Sequence, residues 1–236
     1  MASTARTLTE MYEALRGRFG HQGWWPTTGG AAGAGDAGAA ALEICVGAVL
    51  TQNTNWSNVE KALARLHAAG VMAVSALHAT DPSDLAGLIR PAGYYNVKAR
   101  RLKNLIARVH EGFGDDVRAF LDRPADALRE ELLSINGVGR ETADSIVLYA
   151  AGRCSFVVDA YTCRVLLRHG LIGPDDDYES VKELLESSLP EDVELYNDFH
   201  AQFVAVGKHY CRPVARCAGC PLEHLPHDPL AGAEGG

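Results

Sequence analysis

The sequence predicts an all-α protein. Apolar residues recur at the three- and four-residue spacing of amphipathic helices along most of the 236 residues. No segment shows the strict alternation of apolar and polar residues that marks a half-buried strand. One apolar helical pattern is interrupted at Asn136-Gly137-Val138-Gly139 and resumes at once, which predicts two helices joined by a tight connection.

The predicted helices follow from local start and stop signals. The first carries Leu8, Met11 and Leu15 on one face and is stopped by Trp24-Trp25-Pro26. Residues 29–41 are nearly all Gly and Ala, which predicts a flexible loop whose alanine end begins the next helix. The predicted segments are Thr9–Phe19; Leu42–Leu66, broken by a polar turn at 50–55; a helix from Asp81; a basic helix into which Arg90–Ala99 leads; Asp122–Ile135; a helix after Gly139; a helix after Asp159; Tyr178–Leu189; and Leu195–Tyr210.

Charge is unevenly distributed along the chain. The formal net charge of −8 argues against a simple nucleic-acid binder. Two stretches without acidic residues are nevertheless basic, residues 90–108 and residues 208–216. They predict one basic face with Lys98, Lys208 and Arg212 as candidate DNA contacts, and two unrelated solvated helix faces are the alternative. No apolar run has membrane-spanning length and the start lacks a signal-peptide pattern, so we expect a cytoplasmic protein without a membrane partner.

The connection at residues 136–139 has the composition of a backbone anion site. Its two glycines allow positive φ, and without side chains there the first N–H groups of the next helix can touch a phosphate, which the helix dipole favours. Asp159 follows the apolar run Phe156-Val157-Val158 and precedes another helical pattern. In isolation, an Asp at such a place is usually only a helix N-cap. The residues alone therefore indicate a phosphodiester clamp with an acidic residue nearby in sequence.

Two motifs make the sequence similar to a known family. Gly-Val-Gly-Arg-Glu-Thr-Ala, residues 137–143, followed by Val-Val-Asp-Ala-Tyr-Thr-Cys-Arg, residues 157–164, resembles the helix-hairpin-helix, glycine/proline-rich, aspartate motif of the endonuclease III superfamily of DNA glycosylases. The resemblance extends from Trp24 to about Cys220. It implies two helical domains with a DNA-binding cleft: residues 34–153 as a bundle with the hairpin, and residues 1–33 plus 154–236 as a metal-bearing helical domain with a C-terminal iron–sulfur segment.

The resemblance also implies roles for individual residues. Asp159 is expected to stabilise the positive charge that builds on the deoxyribose and to orient or deprotonate the attacking water. Gln52 matches the family's glutamine that enters the duplex near the extruded nucleotide. The hairpin residues expected to contact DNA are Gly137, Val138, Gly139 and Arg140.

The expected reaction is hydrolysis without a lyase step. Bifunctional members of the family carry a lysine shortly after the hairpin, but this chain has Glu141 there and no lysine between Lys103 and Lys182. Residues 139–144 are similar to third-type 3-methyladenine DNA glycosylases, which implies an alkylated base and a base pocket made of Trp24, Trp25 and Glu141. A cationic alkylated purine leaves without a general acid and is favoured by aromatic walls. Core filling by the tryptophans and a solvated helix-terminal acid at Glu141 are the alternatives.

The C-terminal region contains a cysteine cluster with the pattern C-x5-C-x2-C, formed by Cys211, Cys217 and Cys220. Three thiols this close in a cytoplasmic protein indicate a metal site rather than disulfides. The resemblance implies a 4Fe-4S cluster, although the first gap is one residue shorter than in the family pattern and Pro226 stands at the place of the fourth cysteine. We expect His227 as fourth ligand, with His224 and Asp228 also available. A Cys3His zinc site and a vestigial or three-iron site are the alternatives.

The predicted function is base-excision repair. We expect a DNA N-glycosylase, an enzyme that acts as a monomer near the nucleoid on double-stranded DNA with a damaged base. A bifunctional glycosylase/AP lyase with an unexpected amine and a non-catalytic DNA-damage binder are alternatives. A metal-dependent nuclease is disfavoured, because the chain lacks the clustered carboxylates that such chemistry needs.

Overall fold

The computed structural model describes residues 2–27 and 37–232. Within these residues the chain is helical and forms no β-strand, as the periodicity predicts. The α-helices in chain order are α1 Ala2–Phe19, α2 Ala37–Thr51, α3 Trp56–Ala68, α4 Val74–Ala79, α5 Pro82–Leu88, α6 Tyr95–Phe113, α7 Val117–Leu121, α8 Ala125–Ser134, α9 Arg140–Ser145, α10 Ala160–Arg168, α11 Tyr178–Ser188 and α12 Val193–His209. A 3₁₀ segment, Arg90–Ala92, precedes α6, and a π-helical segment, Ile146–Ala150, continues α9.

Most of the predicted boundaries hold to within a few residues. The polar interruption of Leu42–Leu66 separates α2 from α3, and Asn53 lies there in the left-handed region with φ of 51°. Most of the predicted Gly/Ala loop, and with it the predicted domain boundary between residues 33 and 34, falls outside the described residues. None of the helices in the part of the chain described here combines the length and apolarity needed to cross a membrane.

One compact unit comprises Trp25–Arg153. Helix α2 is its centre, because every residue from Ala41 to Leu50 is buried. Helix α6 buries Leu102, Leu105 and Ile106 in the same core. The long α6 therefore lies with one face against the core of the unit, and this fixes where its polar side chains point.

A second compact unit combines the chain up to Trp24 with the chain from Cys154 onward. Its core is aromatic: the rings of Phe199 and Phe203 stack with centroids 4.5 Å apart, and Phe156 lies 5.3 Å from Tyr196. Phe156, Val157 and Val158 are buried, which fixes the position of the next residue, Asp159, at the start of α10. The assignment of the two units to DNA gripping and metal binding stays a prediction.

Candidate active site and nucleic-acid interface

Asp159 is the N-cap of α10. Its Oδ1 accepts hydrogen bonds from the Thr162 amide at 2.7 Å and from the Thr162 hydroxyl at 2.9 Å. Such a cap satisfies amides that the first helical turn leaves without partners. The carboxylate is thus held in one orientation, with 13% of its side-chain surface exposed.

The second oxygen of Asp159 has a histidine partner on α12. Its Oδ2 lies 3.6 Å from Nε2 of His200, a residue that is 4% exposed. Burial alone raises the pKa of Asp159, but the hydrogen bond and charge of His200 and the bonds from Thr162 outweigh it, so the pKa is below its ordinary value. Trp24 packs edge-on against His200, with ring centroids 5.7 Å apart. The sequence pattern gave no signal for His200, which is 41 residues away from Asp159.

The two glycines of the hairpin between α8 and α9 have different backbone conformations. Gly137 has φ of 97°, and a Cβ there would lie 2.3 Å from Cγ of Arg101. Gly139 has ordinary extended backbone, with φ of −91° and ψ of 174°, and a Cβ there would meet nothing within 4 Å. The expected positive φ therefore occurs at Gly137 alone. At Gly139 the backbone faces open space at the start of α9.

The two hairpin helices are joined by a buried ion pair. Arg129 of α8 donates through Nε and Nη2 to the two carboxylate oxygens of Asp144 of α9, at 2.8 and 3.3 Å, and Asp144 is fully buried. Between the helices, Val138 is buried and its amide donates to the Ile135 carbonyl. A two-pronged Arg–carboxylate pair fixes orientation as well as distance, so the hairpin is held in one shape.

Gln52 is bonded to the hairpin and to α6. Its Nε2 donates to the Thr142 hydroxyl at 2.7 Å, and its Oε1 accepts from the Arg101 guanidinium. The structure thus brings Gln52 together with the hairpin inside one unit, although they are 90 residues apart in sequence. Its insertion into a duplex stays a prediction.

Lys98 is not placed to contact a phosphate, which corrects the prediction made from the basic segment. It is 1% exposed, and its Nζ donates to the Leu50 carbonyl at 2.9 Å and the Ala92 carbonyl at 2.7 Å. Burial, with a smaller contribution from the nearby Arg101, lowers the pKa of Lys98 to about 8. Composition reveals that a segment is basic but not which face of the helix each cation takes.

The two tryptophans expected to form the base pocket belong to different units. Trp24 lies in the unit of Asp159, whereas Trp25 lies beside the core of the other unit. There it packs edge-on against Trp56 and at a tilt against Tyr149, with ring centroids 5.2 and 5.1 Å apart. Trp25 therefore has the packing expected of the core-filling alternative. Glu141 is exposed in the first turn of α9, a place where the helix dipole favours an acid.

Exposed groups supply further candidates for DNA contact. Lys208 and Arg212 are exposed at and just beyond the end of α12, and Arg140 is exposed at the start of α9. Tyr94, which the sequence analysis did not select, is 72% exposed and has φ of 46°. An exposed aromatic held in a strained backbone conformation is a signal that only coordinates provide.

The expected metal ligands line one cavity in the second unit. Its walls include Cys211, Cys217, Cys220 and His227, together with His169, which the sequence analysis did not consider. The pKa of Cys220 is raised, mostly by burial and in part by Cys211 and Cys217 nearby. All six cysteines are free thiols.

The cysteine and histidine side chains that line this cavity are of the types that bind metals. Thiolates and imidazole are the ligands of iron–sulfur clusters and structural zinc, and repulsion between neighbouring thiolates is what a cation relieves. Within residues 2–27 and 37–232, however, no three His, Cys, Asp or Glu side chains are arranged to hold a metal ion. Cys211 Sγ instead lies 3.3 Å from Nη1 of the buried Arg168.

Comparison with known proteins gives one family. The family model for HhH-GPD superfamily base excision DNA repair proteins matches residues 46–191. A protein of Methanocaldococcus jannaschii that is named as a DNA repair glycosylase is 44% identical over 217 residues, which are 92% of this chain and 94% of that protein.

Two solved structures are similar over nearly the whole chain. The 3-methyladenine DNA glycosylase of H. pylori, bound to 1,N6-ethenoadenine, is 26% identical with a TM-score of 0.70, covering 87% of this chain and 97% of that one. A trapped covalent intermediate of endonuclease III with DNA is 25% identical with a TM-score of 0.76 and covers 94% of each chain.

Proposed function

This chain belongs to the HhH-GPD superfamily of base excision DNA repair proteins, as its hairpin motif predicts, and we propose that it is a monofunctional DNA glycosylase that uses Asp159. Its proposed substrate is duplex DNA in which a damaged base, of the alkylated class, is flipped out of the stack. It acts as a monomer in the cytoplasm, at the nucleoid. The observation that carries the proposal is the fixed, ionised carboxylate of Asp159.

The carboxylate of Asp159 suits the charge that hydrolysis creates. Breaking an N-glycosidic bond leaves positive charge on the deoxyribose, and a preoriented anion stabilises that charge more than it stabilises the neutral sugar. Thr162 holds Oδ1, and the lowered pKa keeps the group ionised at neutral pH. The same carboxylate orients or deprotonates the water that attacks the sugar.

The hairpin and the exposed side chains of the same unit supply DNA contacts. Open space at Gly139 leaves the first amides of α9 accessible to a phosphate, and Arg140 adds a positive charge there. Gln52 fills the place of the extruded nucleotide, and Tyr94 stacks on a neighbouring base. Lys208 and Arg212 contact phosphates from the other unit.

A lyase step lacks its nucleophile. Glu141 occupies the position where the bifunctional relatives have a lysine. Lys98, which lies in the hairpin's own unit, is buried, and its ammonium group donates to the backbone carbonyls of Leu50 and Ala92. An attacking amine must be accessible to the sugar, so we assign no lyase activity to Lys98.

The proposed function is tested on oligonucleotide duplexes with alkylated, oxidised, deaminated or mismatched bases. We expect release of an alkylated base, an intact abasic strand as product, and no covalent adduct after borohydride treatment. A trapped adduct would favour the bifunctional alternative, which the covalent endonuclease III neighbour makes worth testing. Tight binding to abasic DNA with no base released from any duplex would favour the non-catalytic binder.

The pH dependence of excision tests the pairing of Asp159 with His200. Because the folded-state pKa of Asp159 is lowered, its charge, and the stability that the charge contributes, persist above the ordinary pKa and are lost as the pH falls through the lowered value. In His200→Gln, the charge of His200 no longer lowers the pKa of Asp159, so the acid limb of the rate profile is expected to move to higher pH. His209→Gln, an exposed histidine of the same helix, is the control. An unmoved limb in His200→Gln would contradict the pairing.

The cysteine-lined cavity is proposed to hold a 4Fe-4S cluster through Cys211, Cys217, Cys220 and His227, with structural zinc as the alternative. Such a group orders the C-terminal segment that carries Arg212. Purified protein is expected to contain iron and sulfide and to absorb visible light, and Cys217→Ser is expected to lose most of both. Cys154→Ser, outside the cavity, is the control. Zinc in the wild type would exclude the cluster, and no bound metal would exclude both.

A further inference from the structure

Three polar side chains stand at steps of three along one face of α6: Lys98, Arg101 and Asn104. Residues three apart on a helix share a face. All three belong to the basic segment that looked like a phosphate-binding helix, yet each donates a hydrogen bond to a group inside the unit. We call this set the α6 stripe.

Lys98 joins the last turn of α2 to the end of the 3₁₀ segment through a single ammonium group, and each of these ends leads into a loop. The Leu50 carbonyl, 2.9 Å from its Nζ, lies two residues before Gln52, and the Ala92 carbonyl, 2.7 Å away, lies two residues before Tyr94. Each loop contains a non-glycine residue with positive φ, Asn53 at 51° and Tyr94 at 46°. Such backbone strain persists only where surrounding contacts hold it.

Arg101 and Asn104 extend the same connection to the hairpin. The Arg101 guanidinium donates to Oε1 of Gln52, and its aliphatic stem packs against Gly137, where only a hydrogen leaves it room. Asn104 Nδ2 donates to the Asn136 carbonyl at 2.8 Å. The stripe therefore contacts the Gln52 loop, the Tyr94 loop and the hairpin.

We propose that the α6 stripe is a set of positioning residues that couples the hairpin's hold on the phosphate to the insertion of Gln52 and Tyr94 into the duplex. The proposal rests on the DNA role proposed above. Because Lys98 is buried, its effect on DNA passes through the two loops that follow the ends it joins. Contact with the DNA itself plays no part.

Lys98→Met tests the coupling, with Lys103→Met as the matched control. Lys103 is on the same helix and its Nζ also donates to backbone carbonyls, those of Leu77, His78 and Thr80, but none belongs to the loops or the hairpin. The probe is a duplex with a tetrahydrofuran abasic-site analogue beside 2-aminopurine, whose fluorescence rises on unstacking. We expect Lys98→Met to weaken binding roughly tenfold and to reduce the fluorescence rise, and Lys103→Met to change neither by more than about twofold.

A second comparison separates positioning from general stability. Gln52→Ala is measured in the wild type and in the Lys98→Met background, with thermal unfolding recorded for every variant. If Lys98 positions Gln52, Gln52→Ala lowers probe affinity and the fluorescence rise in the wild type but hardly changes either in the Lys98→Met background. If Lys98→Met does not fold, Arg101→Met, which keeps the stem beside Gly137, carries the same expectation.

The failure of this inference is distinguishable from failure of the proposed function. If the wild type binds and unstacks the probe, but Gln52→Ala lowers probe affinity equally in both backgrounds, the inference alone would be overturned. A wild type that neither binds the probe nor raises its fluorescence would overturn the proposed function and the coupling with it.

Discussion

Asp159→Asn is expected to lower the single-turnover rate of base excision by about a thousandfold, within the range of general acid–base and electrostatic contributions. Asparagine has nearly the same shape and is itself a good N-cap, so its side-chain oxygen can still accept the Thr162 bonds. What the substitution removes is the negative charge that opposes the cationic sugar. We therefore expect the rate to fall while the affinity for abasic DNA stays close to that of the wild type, and the melting temperature to fall only by the stability that the charge contributes.

The matched control for this change is Asp192→Asn. Asp192 is also an N-cap in the same unit, where its Oδ1 accepts from the Leu195 amide at 2.8 Å, but it is exposed. It is expected to excise at the wild-type rate. Excision by Asp159→Asn within tenfold of the wild type would mean that another group supplies the charge, and the assignment of Asp159 would be wrong.

Local sequence signals were enough to predict most of the helices and their interruptions, although they missed the short helices α4 and α7. The polar residues from Gln52 to Asn55 and the glycines at 137 and 139 interrupt otherwise apolar periodicity, and each lies between helices in the structure. An aspartate after a buried apolar run predicts a cap, and Asp159 is one. These predictions succeed because hydrophobic periodicity and capping depend on residues only a few positions apart.

The partners of buried polar groups were not predictable in the same way. Lys98 donates to a carbonyl 48 residues away and Gln52 to a hydroxyl 90 residues away, and no local pattern encodes such pairs. A lysine less than one turn from an arginine has the sequence pattern of a surface cation, whether its ammonium group contacts water or a carbonyl. The packing of Trp25 beside the core was not predictable for a related reason, since adjacent residues can pack in different units.

Gly137→Ala is expected to destabilise the fold by about 1–3 kcal/mol, because alanine at φ of 97° is strained and its methyl group meets the Arg101 stem. For a chain of this size, each kcal/mol lowers the melting temperature by about 2–4 °C. The Arg101 stem would have to move, so DNA affinity is expected to fall together with stability. Chemical unfolding and binding to abasic duplex measure the two effects.

Gly139→Ala is the comparison for Gly137→Ala. Alanine readily adopts the extended backbone of Gly139, and its methyl group would lie in open space. Its free energy of unfolding is expected to stay within about 0.5 kcal/mol of the wild type. Its affinity for duplex DNA is nevertheless expected to fall about tenfold, since the methyl group occupies the room in which a phosphate approaches the first amides of α9. Stability and binding thus separate at Gly139 and fall together at Gly137. If Gly139→Ala bound DNA as tightly as the wild type, the phosphate would have to approach the protein elsewhere, and the hairpin would serve only to join two helices.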